Sequence, residues 1–175
     1  MNPRKSAERT LVAGFGNAYR RDDGVGRVVV NVLREQLGRP PLDIMDDGFE
    51  DLGHAVDTVV LHQLVPELAE TLADYDLVIF VDAHVGTVPV LIHEERLAVS
   101  YRTPFVSHQC HPSTVLALTK QMHGHAPEAV LLSLRGYDFD FGEGLSDETA
   151  ALVPDAVARI MTLVGKGIGR EPHPT

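Results

Sequence analysis

The chain has 175 residues, 44% of them hydrophobic and 23% charged, which is enough for one domain with a self-sufficient core. Its formal charge of −10 argues against a generic phosphate-backbone binder, so no nucleic-acid partner is expected. A single cysteine excludes an intrachain disulfide and a multi-cysteine zinc site, and nine histidines leave imidazole as the available borderline metal ligand.

The first predicted element is a strand over Thr10–Phe15, which runs into a glycine turn at Gly14-Phe15-Gly16. A helix over 24–37 follows, with Val25, Val28, Val29, Val32, Leu33 and Leu37 at helical spacing. Asp23 is placed to cap its start and Gly38 to end it. A short strand is expected at 42–45, then a turn-rich stretch, then a strand at 55–61. Pro66 suits the opening of a helix over 65–73, with Leu68, Leu72 and Ala73 facing inward. The continuous apolar run 77–82 predicts a central strand buried on both faces.

Further strands are expected at 88–93 and 129–134, separated by a helix at 112–122 with Val115, Leu118, Thr119 and Met122 on one face. The loop 135–144 leads to a final helix capped by Ser146, which Pro154 should kink. Alternating strands and helices predict an α/β fold, a three-layer sandwich around a largely parallel sheet. We read residues 1–175 as a single domain with flexible ends at about 1–9 and 167–175. No apolar run approaches the roughly 18 residues of a membrane span, so no membrane insertion is expected. The basic N-terminal residues precede no apolar segment, and the cytoplasm is the default expectation.

In an open parallel sheet, ligands bind beyond the carboxyl ends of the strands. Asp23 follows the first strand, Asp82 ends the central one and His108 lies after a later one. Two carboxylates and an imidazole suit a borderline divalent ion such as zinc or nickel. Each residue also has a plainer reading: a helix cap for Asp23, a turn residue for Asp82, a loop histidine for His108. The glycine turn also invites a dinucleotide-binding reading. Position 19 is tyrosine where G-x-G-x-x-G needs glycine, however, and nearby carboxylates would repel a pyrophosphate. Cys110 lies between His108 and His111 without an evident orienting group, which favours an inert thiol over a nucleophile. His111 is placed to cap the helix that Pro112 opens or to serve as an accessory proton donor.

At these residues the chain resembles the hydrogenase maturation proteases, which finish the large subunit of nickel–iron hydrogenases. Gly14-Phe15-Gly16-Asn17 with Asp22-Asp23-Gly24-Val25-Gly26 is similar to the opening motif of that family, and Val81-Asp82-Ala83 to its second. Ser107-His108, with Pro112 and Val115-Leu116-Ala117-Leu118 behind it, resembles the third, and Gly142-Glu143-Gly144-Leu145-Ser146 a weaker one. Two departures stand out: position 23 is Asp where some members carry Glu, and His62-Gln63-Leu64 replaces a glycine-rich turn.

The resemblance implies a metal-dependent endopeptidase that removes a C-terminal extension from a nickel-loaded hydrogenase large-subunit precursor. Nickel would arrive with the substrate and be recognised by Asp23, Asp82 and His108, which are both the implied metal ligands and the implied catalytic residues; zinc or another divalent ion could substitute in vitro. Asp22 and Asp23 are both open as general base. The alternative is a checkpoint or chaperone that binds the loaded subunit without cutting it.

Overall fold

A computed structural model describes residues 8–100 and 110–166 of the chain. Five strands form one sheet: β1 (Thr10–Phe15), β2 (Val56–Leu61), β3 (Leu77–His84), β4 (Ile92–Arg96) and β5 (Glu128–Arg135). Their order across the sheet is β2-β1-β3-β5-β4, parallel except for β4, which runs antiparallel to β5. The helices are α1 (Val25–Gln36), α2 (Leu68–Leu72), α3 (Pro112–His123), α4 (Asp147–Ala150) and α5 (Val153–Lys166). The predicted α/β sandwich is therefore what the chain forms.

Alternation along the strands supplies the two faces. Val12, Ile79, Val81, Val130 and Leu132 pack under α1 and α5, against Val25, Val29, Leu33, Val157 and Ile160. Leu11, Ala13, Val78, Phe80 and Ala129 pack under α2 and α3, against Leu68, Leu72, Val115 and Leu116. Central strands buried on both faces read as unbroken apolar runs for this reason. Burying each of the larger side chains among these stabilises the fold by about 1.5–3 kcal/mol.

Several predicted elements are displaced. No strand forms at 42–45; the segment runs beside α1, where Asn31 Oδ1 accepts from the Leu42 N–H at 2.8 Å and Asn31 Nδ2 donates to the Leu42 carbonyl. Only Leu42 is buried there, and Met45 is 89% exposed. The strand expected at 88–93 begins instead at Ile92. Pro89 cannot donate to a ladder, and Val90 and Leu91 stay exposed. On α3 the buried face uses Leu116 rather than Met122, which lies exposed one residue from the helix end. Pro154 produces a break rather than a kink: α4 ends and α5 restarts with Pro154 in its first turn, where a missing N–H costs nothing.

Residues 1–7, 101–109 and 167–175 lie outside the described residues, and with them most of the ends expected to be flexible. Next to the first of these, the Arg9 N–H donates to Asp76 at 2.8 Å and its guanidinium pairs with Asp57 at 3.2 Å. Among the described residues no helix is long and apolar enough to cross a membrane.

Candidate functional site

The turn after β1 is built by close approach. A Cβ on Gly14 would stand 2.5 Å from the Gly26 carbonyl oxygen, and one on Gly26 would stand 2.7 Å from that of Val81. Glycine at both lets the start of α1 settle against the carboxyl ends of β1 and β3. Gly16 has φ +137°, and a Cβ there would fall 2.0 Å from the Asp23 carbonyl oxygen. The chain then makes a 3-10 turn, Arg21–Gly24, entered through Arg21 at φ +44°. A left-handed arginine is uncommon and marks a constrained turn.

This turn gives the two adjacent carboxylates opposite tasks. Asp22 is fully buried and accepts from the N–H groups of Tyr137, Asp138 and Ser146 and from the Ser146 hydroxyl, all at 2.7–2.9 Å. Burial alone would raise its pKa, but these donors outweigh it and hold the group down at about 2. Asp22 thus ties the 136–146 loop to the turn, and its oxygens are not free to act as a base. Asp23 does not cap α1, whose N-cap is Gly24 without a side-chain bond. Its carboxylate accepts from the Asn17 N–H at 2.8 Å and takes no further hydrogen bond among the described residues.

Asp23 and Asp82 line one cavity of about 160 Å³ at the carboxyl edge of the sheet, together with Asn17, Arg20, His62, Gln63 and Cys110. Asp82 accepts from the Ala83 N–H at 2.7 Å. Burial pushes its pKa up to about 7; the Ala83 N–H pulls the other way, and the charge of Asp23 adds to the rise. No ion pair ties either carboxylate to a cation among the described residues. Two uncompensated carboxylates sharing one cavity are a donor set suited to a divalent cation.

His108 lies outside the described residues. Cys110, two positions further along the sequence, lines the cavity. Burial raises the pKa of the Cys110 thiol, and its Sγ lies 3.8 Å from the His111 carbonyl, the position of a weak donor and not of a thiolate. His111 caps α3, its Nδ1 accepting from the Ser113 N–H at 3.1 Å. Among the described residues no three of His, Cys, Asp and Glu form a group that could hold a metal. Arg20 and His62 also line the cavity, and neither belongs to a motif in the sequence that marks it as a site residue. Their signal was position alone: each is a polar residue just past the carboxyl end of a parallel strand.

An acidic cavity beyond the carboxyl ends of an α/β sheet is the class of site this fold presents. No family model matches the sequence, and no curated protein matches it. Solved structures do. The chain is similar to the hydrogenase maturating endopeptidase HybD from E. coli, with 21% identity over 91% of this chain and 94% of that one, at a TM-score of 0.68. It is also similar to a hydrogenase 2 maturation peptidase from a Thaumarchaeota archaeon, with 24% identity, coverage of 90% and 99%, and a TM-score of 0.60. A third match is the [NiFe] hydrogenase maturation protease HycI from Thermococcus kodakarensis, with 21% identity, coverage of 93% and 93%, and a TM-score of 0.57. The fold of this chain is that of the hydrogenase maturation endopeptidases, matched over nearly the full length of both chains.

Proposed function

We propose that this protein is an endopeptidase that removes a C-terminal extension from the nickel-loaded precursor of a nickel–iron hydrogenase large subunit. The observation that carries the proposal is the pair Asp23 and Asp82, uncompensated in one cavity at the carboxyl edge of a maturation-endopeptidase fold. In this reading nickel belongs to the substrate. Asp23, Asp82 and His108 complete its coordination, so that only a loaded precursor gains those interactions. Differential binding of this kind makes the protease read the state of its substrate.

Burial holds the pKa of the Asp82 carboxyl at about 7 without a metal, so engaging a divalent cation there would displace its proton near neutral pH. Asp22, locked by four donors, is left to hold the loop.

The test is the intact mass of a large-subunit precursor, nickel-loaded and nickel-free, after incubation with the protein and with its Asp23→Ala, Asp82→Ala and His108→Ala variants. Loss of a C-terminal peptide only from the loaded precursor, abolished in all three variants, is the expected result. Retained binding of loaded precursor without cutting would replace the endopeptidase by a checkpoint. Neither cutting nor binding of any loaded precursor would overturn the reading.

A further inference from the structure

We propose that Arg20 is the residue that reads the substrate segment entering this cavity, by capturing a carboxylate of the extension. The inference rests on the function proposed above and assigns a recognition task to a lining residue outside the implied ligand set.

Arg20 lines the same cavity as Asp23 and Asp82, yet it neutralises neither. Its backbone is fixed from both sides: the Arg20 N–H donates to Asn17, the Asp23 N–H donates to Arg20, and Arg20 bridges to Gly142 in the neighbouring loop. The Nε donates to the Phe139 carbonyl at 3.2 Å, which tethers the guanidinium to the 136–146 loop. That tether uses one of the five guanidinium N–H groups. The two terminal nitrogens, with no partner among the described residues, keep the fork geometry that grips a carboxylate in two parallel bonds.

The other arginines near the site are engaged. The left-handed φ of Arg21 turns the next side chain to a separate groove, where it lies 3.5 Å from Asp138. Arg27 donates to the carbonyls of Asp43 and Asp46. Arg135 lies over the Tyr137 ring at 5.0 Å. Among the described residues, Arg20 is therefore the arginine that the cavity keeps available, although two carboxylates lie along its walls.

The cavity is electrically polar as a result, negative at Asp23 and Asp82 and positive at Arg20. A peptide crossing it fits only if it presents positive charge to the first and negative charge to the second. A nickel-loaded precursor supplies the positive end, and a carboxylate of the extension supplies the negative one. Its source is either an acidic side chain or the terminal α-carboxylate.

The experiment measures cutting of a nickel-loaded precursor, and separately its binding, by wild type, Arg20→Ala, Arg20→Lys and Arg96→Ala. The last removes the same charge from exposed β4 and serves as control. Unfolding curves confirm that each variant folds. Three precursors are compared: the natural one, one with the acidic side chains of its extension changed to amides, and one lengthened by neutral residues that displace the terminal carboxylate. Arg20→Ala should raise KM at least about tenfold with little change in kcat, as expected for the loss of a charge-assisted bidentate pair. Arg20→Lys should recover only part, because an ammonium has no fork. One altered precursor should lose affinity for wild type but not for Arg20→Ala, which identifies the carboxylate.

Equal KM for Arg20→Ala and wild type, or losses that simply multiply on both altered precursors, would overturn the assignment while leaving the protease reading intact. Arg20-dependent binding without any cutting would support the assignment and remove the protease. No binding and no cutting by wild type would overturn both.

Discussion

Replacing Asp82 by asparagine should stabilise the protein, by an amount that grows with pH. Burial lifts the folded-state pKa of Asp82 from 3.8 to about 7, so the native state holds this proton more tightly than the unfolded chain does. For an acid shifted upward, stability is highest below the unfolded pKa and declines as pH rises, until the folded pKa has been passed. A gap of about 3 units at about 1.4 kcal/mol per unit gives a penalty of about 4 kcal/mol, fully expressed near about pH 8. Near about pH 5 only the unfolded form has ionised, and the penalty is about 2 kcal/mol. Both values are ceilings, because Asp82 borders the cavity and water there screens part of the charge.

Asparagine keeps the oxygen that accepts from Ala83 and carries no charge to bury. Urea unfolding of wild type and Asp82→Asn should therefore show a gain about 2 kcal/mol larger near pH 8 than near pH 5. Burial lowers the pKa of His84, which makes wild-type stability rise with pH through the window below 6.5. Comparing variant with wild type at each pH cancels that contribution. An equal gain at both pH values, or no gain, would refute the argument that Asp82 is held in a desolvated position. The same variant should lose nickel-dependent cutting, so one substitution exchanges function for stability.

Three further substitutions test neighbouring parts of the site. Asp22→Asn should destabilise the protein by about 2 kcal/mol at neutral pH, and the deficit should shrink as pH falls from 3.8 toward 2, where wild-type Asp22 itself takes up a proton. Acid-titrated unfolding reads this. Gly16→Ala combines φ +137° with a Cβ 2.0 Å from a carbonyl oxygen and should cost about 2 kcal/mol or more by thermal unfolding. Cys110→Ala should keep cutting within about twofold of wild type, because a protonated, partly buried thiol is not a nucleophile; a loss of about a hundredfold would restore that role.

The central strands and α1 were legible because burial on both faces and helical spacing leave few alternatives. Thr10–Phe15 forms a strand with the bounds its pattern gives. The segment at 42–45 reads as a strand because three of its four side chains are apolar, and nothing in the sequence shows that Asn31 satisfies the backbone of Leu42 instead. The strand expected at 88–93 starts only at Ile92, because Pro89 cannot donate to a ladder however apolar its neighbours are. At the site, sequence brought Asp23 and Asp82 to one edge, and the structure places both in one cavity. It did not separate Asp22 from Asp23, since adjacent identical side chains differ only in which way a left-handed arginine turns the chain.

That separation explains why the glycines and the carboxylates of this segment occur together. Without side chains at Gly14 and Gly26, α1 can start hard against the ends of β1 and β3, which draws the Arg21–Gly24 turn over the sheet edge. So tight a turn leaves one carboxylate facing inward and one facing the cavity. The inward one, Asp22, meets four donors from the 136–146 loop and stabilises the fold. The outward one, Asp23, lies beside Asp82 and adds to its burden of unfavourable charge. The loop that Asp22 anchors is also the one whose Phe139 carbonyl holds Arg20. Loosening Asp22 would thus slacken the loop that holds Arg20. Asp22→Asn should accordingly impair substrate affinity in the manner of Arg20→Ala, although no atom of Asp22 lines the cavity.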